Sequence, residues 1–148
     1  MKNILIAISQ PEDAKQLISQ AVKIAQDTGG KLWIVHVTEA NPDDFLAREA
    51  GPQYIYDKRA ETRKKAKTYV DEQAIKINSE YGISAEGLVI QGAVAKTIKE
   101  TVEKYNIDLV VAGHRKKDFL YSLFTANRKK DLVDELKIPL LAVPLQVH

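Results

Sequence analysis

Asp108-Leu-Val-Val-Ala-Gly-His-Arg-Lys116, with Ser122-Leu-Phe-Thr-Ala-Asn-Arg-Lys-Lys130 close behind it, is the stretch that decides the fold. It reads as a buried strand, one glycine, a basic loop and the start of a last helix. In an α/β protein the mouth between a strand's carboxyl end and the next helix is where backbone amides hold an anion. Cradles of that kind usually carry several glycines, and this loop has only Gly113. It therefore reads as a phosphate site with most of its flexible residues replaced.

Working outward, the same strand-then-helix unit repeats. Ile4 to Ile8 is a continuous apolar run, and Ala14, Leu17, Ile18, Ala21, Ile24 and Ala25 follow at helical spacing. Ser9 with Glu12 fits a capping box for that helix, and Gly29-Gly30 fit its left-handed exit. Leu32 to Val37 predicts a second strand. Glu39 to Gln53, with Pro42, Asp43, Asp44, Gly51 and Pro52, has no sustained period and predicts the longest loop. A charged helix from about Tyr56 to Tyr81 carries an apolar stripe of Ala66, Val70, Ala74, Ile77 and Tyr81 and ends at Gly82.

A third strand is expected around Leu88 to Gln91, a helix with Val94, Ile98, Val102 and Tyr105 on one side, and a fourth strand from Ile107 to Ala112. Leu132, Val133 and Leu136 suit a short helix. Pro139-Leu-Leu-Ala-Val-Pro144 suits a fifth strand, and prolines at both ends place it at an edge. The pattern predicts an α/β fold: a doubly wound, five-stranded parallel sheet with helices on both faces.

Composition sets the outer limits. With 148 residues, 45% of them hydrophobic, residues 1–148 are expected to form one domain that buries a core without disulfides or metal. The absence of cysteine excludes thiolate catalysis and cysteine-held metal, and permits a reducing cytoplasm, the expected location. The apolar run at the amino terminus is too short for a signal-peptide core or a membrane span. A net charge of +2, from 22 basic and 20 acidic side chains, favours neither nucleic acid nor membrane as a partner. Arg59, Arg63, Lys64, Lys65 and Lys67 are interleaved with Asp57, Glu61, Asp71 and Glu72, which reads as a solvated helix face.

Five pieces in order, Ile4-Leu-Ile-Ala-Ile8, His36-Val37, Gln91-Gly92, Asp108-Leu-Val-Val-Ala-Gly113 and Ile138-Pro-Leu-Leu-Ala-Val143, resemble the universal stress protein family. The resemblance covers essentially the whole chain. It implies a strand order of 3-2-1-4-5 and a homodimer paired through the last strand, here Leu140 to Val143. In the family's nucleotide-binding branch it also implies ATP across the carboxyl ends of strands one, two and four. There an aspartate ends strand one, and spaced glycines followed by a serine or threonine wrap the ribose and phosphates, because glycine lets the backbone approach closely.

Laid on that pattern, the first glycine is Gly113, the second position is Lys116, the third is Ala126, the hydroxyl position is Asn127, and the strand-one aspartate position is Ser9. Four of the five positions depart from the signature, so ATP binding in the family's usual manner is not expected, nor is any cofactor. A β-carbon at a former glycine typically costs about 1 kcal/mol and blocks the backbone path. Against that, Arg115, Lys116, Lys117, Arg128, Lys129 and Lys130 flank the same loop. They are either a solvated loop or a remodelled anion or partner surface. Phe119, Leu120, Tyr121, Leu123 and Phe124 between them suit packing onto the chain's own sheet or a dimer mate, or an interface anchor.

Catalytic residues are not evident. His36, His114 and His148 lack a carboxylate or second histidine at metal-ligand spacing; His36 suits a packed strand end, and His114, in the cleft loop, leaves a general-base role open. Asp43-Asp44 suits capping or solvation, so no metal is expected. Three functions follow: a non-enzymatic, dimeric stress-response protein acting on a protein partner; a sensor holding ATP, AMP or another anionic nucleotide among Ser9, Val37, Ala112, Gly113, Lys116, Ala126, Asn127 and Arg128; and a slow nucleotide hydrolase. The first is the expected one.

Overall fold

The computed structural model describes residues 2–38, 52–91, 94–114 and 136–145. The first strand, β1 (Asn3–Ile8), runs into a 3-10 turn (Pro11–Asp13) and helix α1 (Ala14–Thr28). Strand β2 (Lys31–Thr38), helix α2 (Pro52–Tyr81), strand β3 (Ala85–Gln91), helix α3 (Val94–Lys104), strand β4 (Leu109–His114) and strand β5 (Leu140–Pro144) follow. The five strands form one parallel sheet in the order β3-β2-β1-β4-β5. Such an order requires crossover connections, which α1, α2 and α3 supply between the first four strands.

Alternation along the strands sorts the core into two layers. Ile4, Ile6 and Ile8, with Leu32, Ile34, Leu109, Val111 and Val143, pack against α1 and against Val70, Ala74 and Ile77 of α2. Leu5, Ala7, Trp33, Val35, Val110 and Ala112 face the other way, against Ile98 and Val102 of α3 and against Leu136. Both faces of the three inner strands are therefore covered, which is why β1 reads as an unbroken apolar run.

Several boundaries differ from the expected ones. The first helix is not capped by Ser9. Proline, with no N–H and a fixed φ, takes the first position of the 3-10 turn, so Gln10 becomes the cap residue, and neither it nor Asp13 at the start of α1 makes a side-chain cap bond. Helix α2 begins at Pro52 and takes in the end of the expected loop; the rest of that loop, with Asp43 and Asp44, lies outside the described residues. Tyr81 closes the apolar stripe in the sequence but is 46% exposed, because Gly82 turns away with a φ of 65° immediately after it. Tyr105 lies one residue past α3 and stacks on Trp33 with ring centroids 4.2 Å apart. Arg63, Lys64, Lys65 and Lys67 are exposed, as a solvated face requires. The expected short helix contributes Leu136 to the described residues, while Leu132 and Val133 lie outside them.

Candidate functional site

The carboxyl ends of β2, β1 and β4 lie side by side. Ile8 is level with His36, and Ala7 is level with Ala112. Ser9 therefore leaves β1 between Val37, near the end of β2, and the Ala112-Gly113 pair of β4. These four expected site residues are brought to one end of the sheet. Lys116, Ala126, Asn127 and Arg128, with the basic and aromatic residues of the same loop, lie outside the described residues.

Adjacent residues of one strand face opposite sides, and this divides the site. Ala112 is 1% exposed and belongs to the layer under α3. Gly113 faces the α1 side, where a side chain built upon it would fall on Leu145, the residue that follows β5. Its lack of a Cβ is thus explained by packing inside the chain. Leu145 is half-buried against the α1 layer, and the carbonyl before it, that of Pro144, accepts a hydrogen bond of 2.9 Å from Gln16 Nε2.

At the end of β2, His36 packs as a strand-end residue. The edge of one ring meets the face of the other between His36 and Tyr69 of α2, with centroids 5.9 Å apart and planes at 77°. The Tyr69 hydroxyl donates to the Pro11 carbonyl at 3.2 Å and so ties α2 to the turn that follows β1. His36 Nδ1 is buried without a hydrogen-bond partner among the described residues. Burial holds the His36 imidazole below its ordinary pKa of 6.5. Burial, and then the Glu12 carboxylate, push the Tyr69 hydroxyl above its ordinary 10.0.

Leu145 and Tyr69 were not among the residues singled out in the sequence. Neither belongs to a motif, and each acts through a contact with a distant segment. No cluster of histidine and carboxylate groups able to hold a metal ion occurs among the described residues, and none of their helices is long and apolar enough to cross a membrane.

Comparison with known proteins agrees with this fold. The model of the universal stress protein family matches residues 1–144. A universal stress protein A homolog of Haemophilus influenzae is 30% identical over 147 residues, which cover 98% of this chain and 97% of the relative. Universal stress protein A of Escherichia coli is 28% identical over 145 residues, 98% of this chain and 95% of the relative. Among solved structures, a universal stress protein in complex with cAMP superposes with a TM-score of 0.56 at 16% identity, covering 98% of both chains. A family protein from Arabidopsis thaliana with AMP bound gives 0.57 at 15% identity, covering 99% of this chain and 93% of the other. The chain belongs to the universal stress protein family.

Proposed function

We propose that this chain is a non-enzymatic, regulatory member of its family that acts as a dimer through protein contacts and without the glycine-cradled ATP of the nucleotide-binding branch. The observation that carries this reading is the contact between Gly113 and Leu145. The one signature glycine that the sequence retains has its open side filled by an apolar side chain. An apolar cover offers an anion no replacement for its water. The substitutions at Ser9, Lys116, Ala126 and Asn127 act in the same direction.

The edge position of β5 supports pairing through Leu140 to Val143. An unpaired strand edge invites either protection or a second copy, and Leu140 and Leu141 are only half-buried in one chain. A dimer by light scattering at tens of micromolar is the expected result; a monomer contradicts the pairing.

A second reading is favoured by the AMP and cAMP held by structural neighbours: a nucleotide sensor with its ligand among Ser9, Val37, Ala112, Gly113, Lys116, Ala126, Asn127 and Arg128. One assay separates the two. Purified protein is denatured and its supernatant assayed for nucleotide, and ATP and AMP are titrated against thermal unfolding. A ligand at 100 times its dissociation constant stabilises a fold by about 2.7 kcal/mol. The favoured reading expects no nucleotide and no shift, and stoichiometric ATP overturns it.

A further inference from the structure

The sheet has two edges, β3 and β5, and they are left in different states. Leu32 N–H donates to the Ser84 carbonyl, so Ser84 faces β2, and alternation along a parallel strand turns the main-chain groups of Ala85, Gly87 and Val89 away from β2. On β5 the bond from Val110 N–H to the Pro139 carbonyl fixes the phase in the same way, and Leu140 and Ala142 face outward. Among the described residues, the one side-chain bond to that row is from Gln16, at Pro144 past the pair. On β3 the middle of the outward row is taken. Lys67 Nζ donates to the Gly87 carbonyl at 2.8 Å and to Asp71 Oδ1 at 2.9 Å.

Close packing of α2 sets that lysine over the edge. Gly87 is buried, and a Cβ built on it would lie 2.7 Å from Val70 Cγ2 and 2.8 Å from the Val70 main-chain carbon. Glycine allows that approach, and Lys67, one turn before Val70, reaches the outward side of the strand. Farther along α2, Ile75 is 69% exposed, and with Ala74, Ala85 and Gly87 it lines an open trough of about 520 Å³. Outward amides beside apolar ground are what an added strand needs.

We infer that Lys67 closes the β3 edge to strand pairing, so that copies of this chain join through β5 alone and assembly ends at a dimer. The inference rests on the proposed pairing through Leu140 to Val143. A strand laid on β3 has to take the Gly87 carbonyl from Lys67 and hold a strongly hydrated ammonium against the new interface, and a buried charge without its partner is costly. Lysine on an edge is one of the ways a sheet is kept from adding strands. With both edges open, each copy has two sites, and copies add into rings or filaments. With β3 closed, pairing of β5 with β5 stops at two.

The test follows particle mass by light scattering from tens to hundreds of micromolar, together with amide hydrogen exchange at Ala85, Gly87 and Val89. Circular dichroism establishes that each variant of the full chain is folded. Lys67→Ala grows beyond the wild-type mass as concentration rises, and the outward amides of β3 gain protection from exchange as it does. Lys65→Ala removes an equal charge from an exposed position of the same helix, where the lysine lies 3.6 Å from Glu61, and leaves the mass unchanged.

A folded Lys67→Ala that keeps the wild-type mass throughout overturns the proposal. So does growth without protection at β3, since the copies then meet elsewhere, and so does equal growth in Lys65→Ala, since lost charge alone then suffices. Should Lys67→Ala fail to fold, Lys67→Glu, whose carboxylate cannot donate to the Gly87 carbonyl, decides by the same two readings. A monomeric wild type refutes the pairing through β5 and leaves the closed edge to be judged by itself: a gain of mass in Lys67→Ala, with protection at β3, upholds it, and no gain overturns it.

Discussion

The two ends of the sheet are built in opposite ways. At the amino end, Asp108 Oδ2 accepts hydrogen bonds from the backbone N–H of Lys2 at 2.8 Å and of Asn3 at 3.0 Å. Asn3 Oδ1 accepts from Trp33 Nε1 at 3.1 Å, and Asn3 Nδ2 donates to the Asn106 carbonyl at 3.3 Å. Lys31 Nζ lies 4.0 Å from the centre of the Trp33 ring, which also stacks on Tyr105. At the carboxyl end a buried His36 nitrogen has no partner among the described residues, and a glycine is covered by Leu145. An unsatisfied buried polar atom costs about 1–3 kcal/mol. The amino end fastens β1, β2 and β4 together, and the end where parallel sheets take ligands carries a buried imidazole nitrogen unpaired among the described residues and an apolar contact over a glycine.

The largest effect expected is at the carboxyl end. Gly113→Val drives a side chain into Leu145 and lowers unfolding stability by about 1–3 kcal/mol, measured by urea denaturation. Combining it with Leu145→Ala recovers part of the loss; a strictly additive pair of losses breaks the assigned contact.

Next comes the amino end. Asp108→Ala removes the acceptor of two backbone bonds at a water-accessible position, for a loss of about 1 kcal/mol by the same measurement. The Asn3 and Lys2 amides hold the Asp108 carboxyl below its ordinary 3.8. Its stabilisation is therefore present above that value and is lost as pH falls through the lower, native one. Asp108→Ala abolishes that acid-limb contribution, and an unchanged limb contradicts the latch.

His36 acts in a different pH window. Its native pKa lies below 6.5, so the unfolded chain takes up the proton first, and stability declines as pH falls from 6.5 toward the native value. His36→Phe, which keeps a ring against Tyr69, flattens the stability profile between neutral pH and about pH 5.5. A wild-type profile that is flat there argues against a costly imidazolium at this end. The smallest effect is at the amino end: Lys104→Gln removes a cation 5.3 Å from the Tyr105 ring and changes stability by less than about 0.5 kcal/mol. A larger loss makes the exposed cations part of the latch.

Much of the fold was legible in the residues because its signals are local. Ile4 to Ile8 and Leu109 to Ala112 read as doubly covered strands, and Gly29, with a φ of 72°, ends α1 where the apolar period stops. Ser9 misled because a capping box is a pattern of side chains, and Pro11, two positions on, shifted the cap by its backbone alone. Of the candidate site, the placing of Ser9, Val37, Ala112 and Gly113 at one end of the sheet was legible in the strand pattern. That Ala112 and Gly113 face opposite layers also follows from strand alternation, but what stands over Gly113 does not.

By itself the sequence determined the class of sheet, the alternation of strands and helices and the departures from the nucleotide signature, since hydrophobic period and glycine spacing are properties of neighbouring residues. Only the tertiary structure decided the contact of Leu145 with Gly113, the seating of Tyr69 on Pro11 and His36, and the burial of the His36 nitrogen. Each joins segments far apart in the chain, and such contacts are set by how the layers pack, which no local pattern of residues encodes.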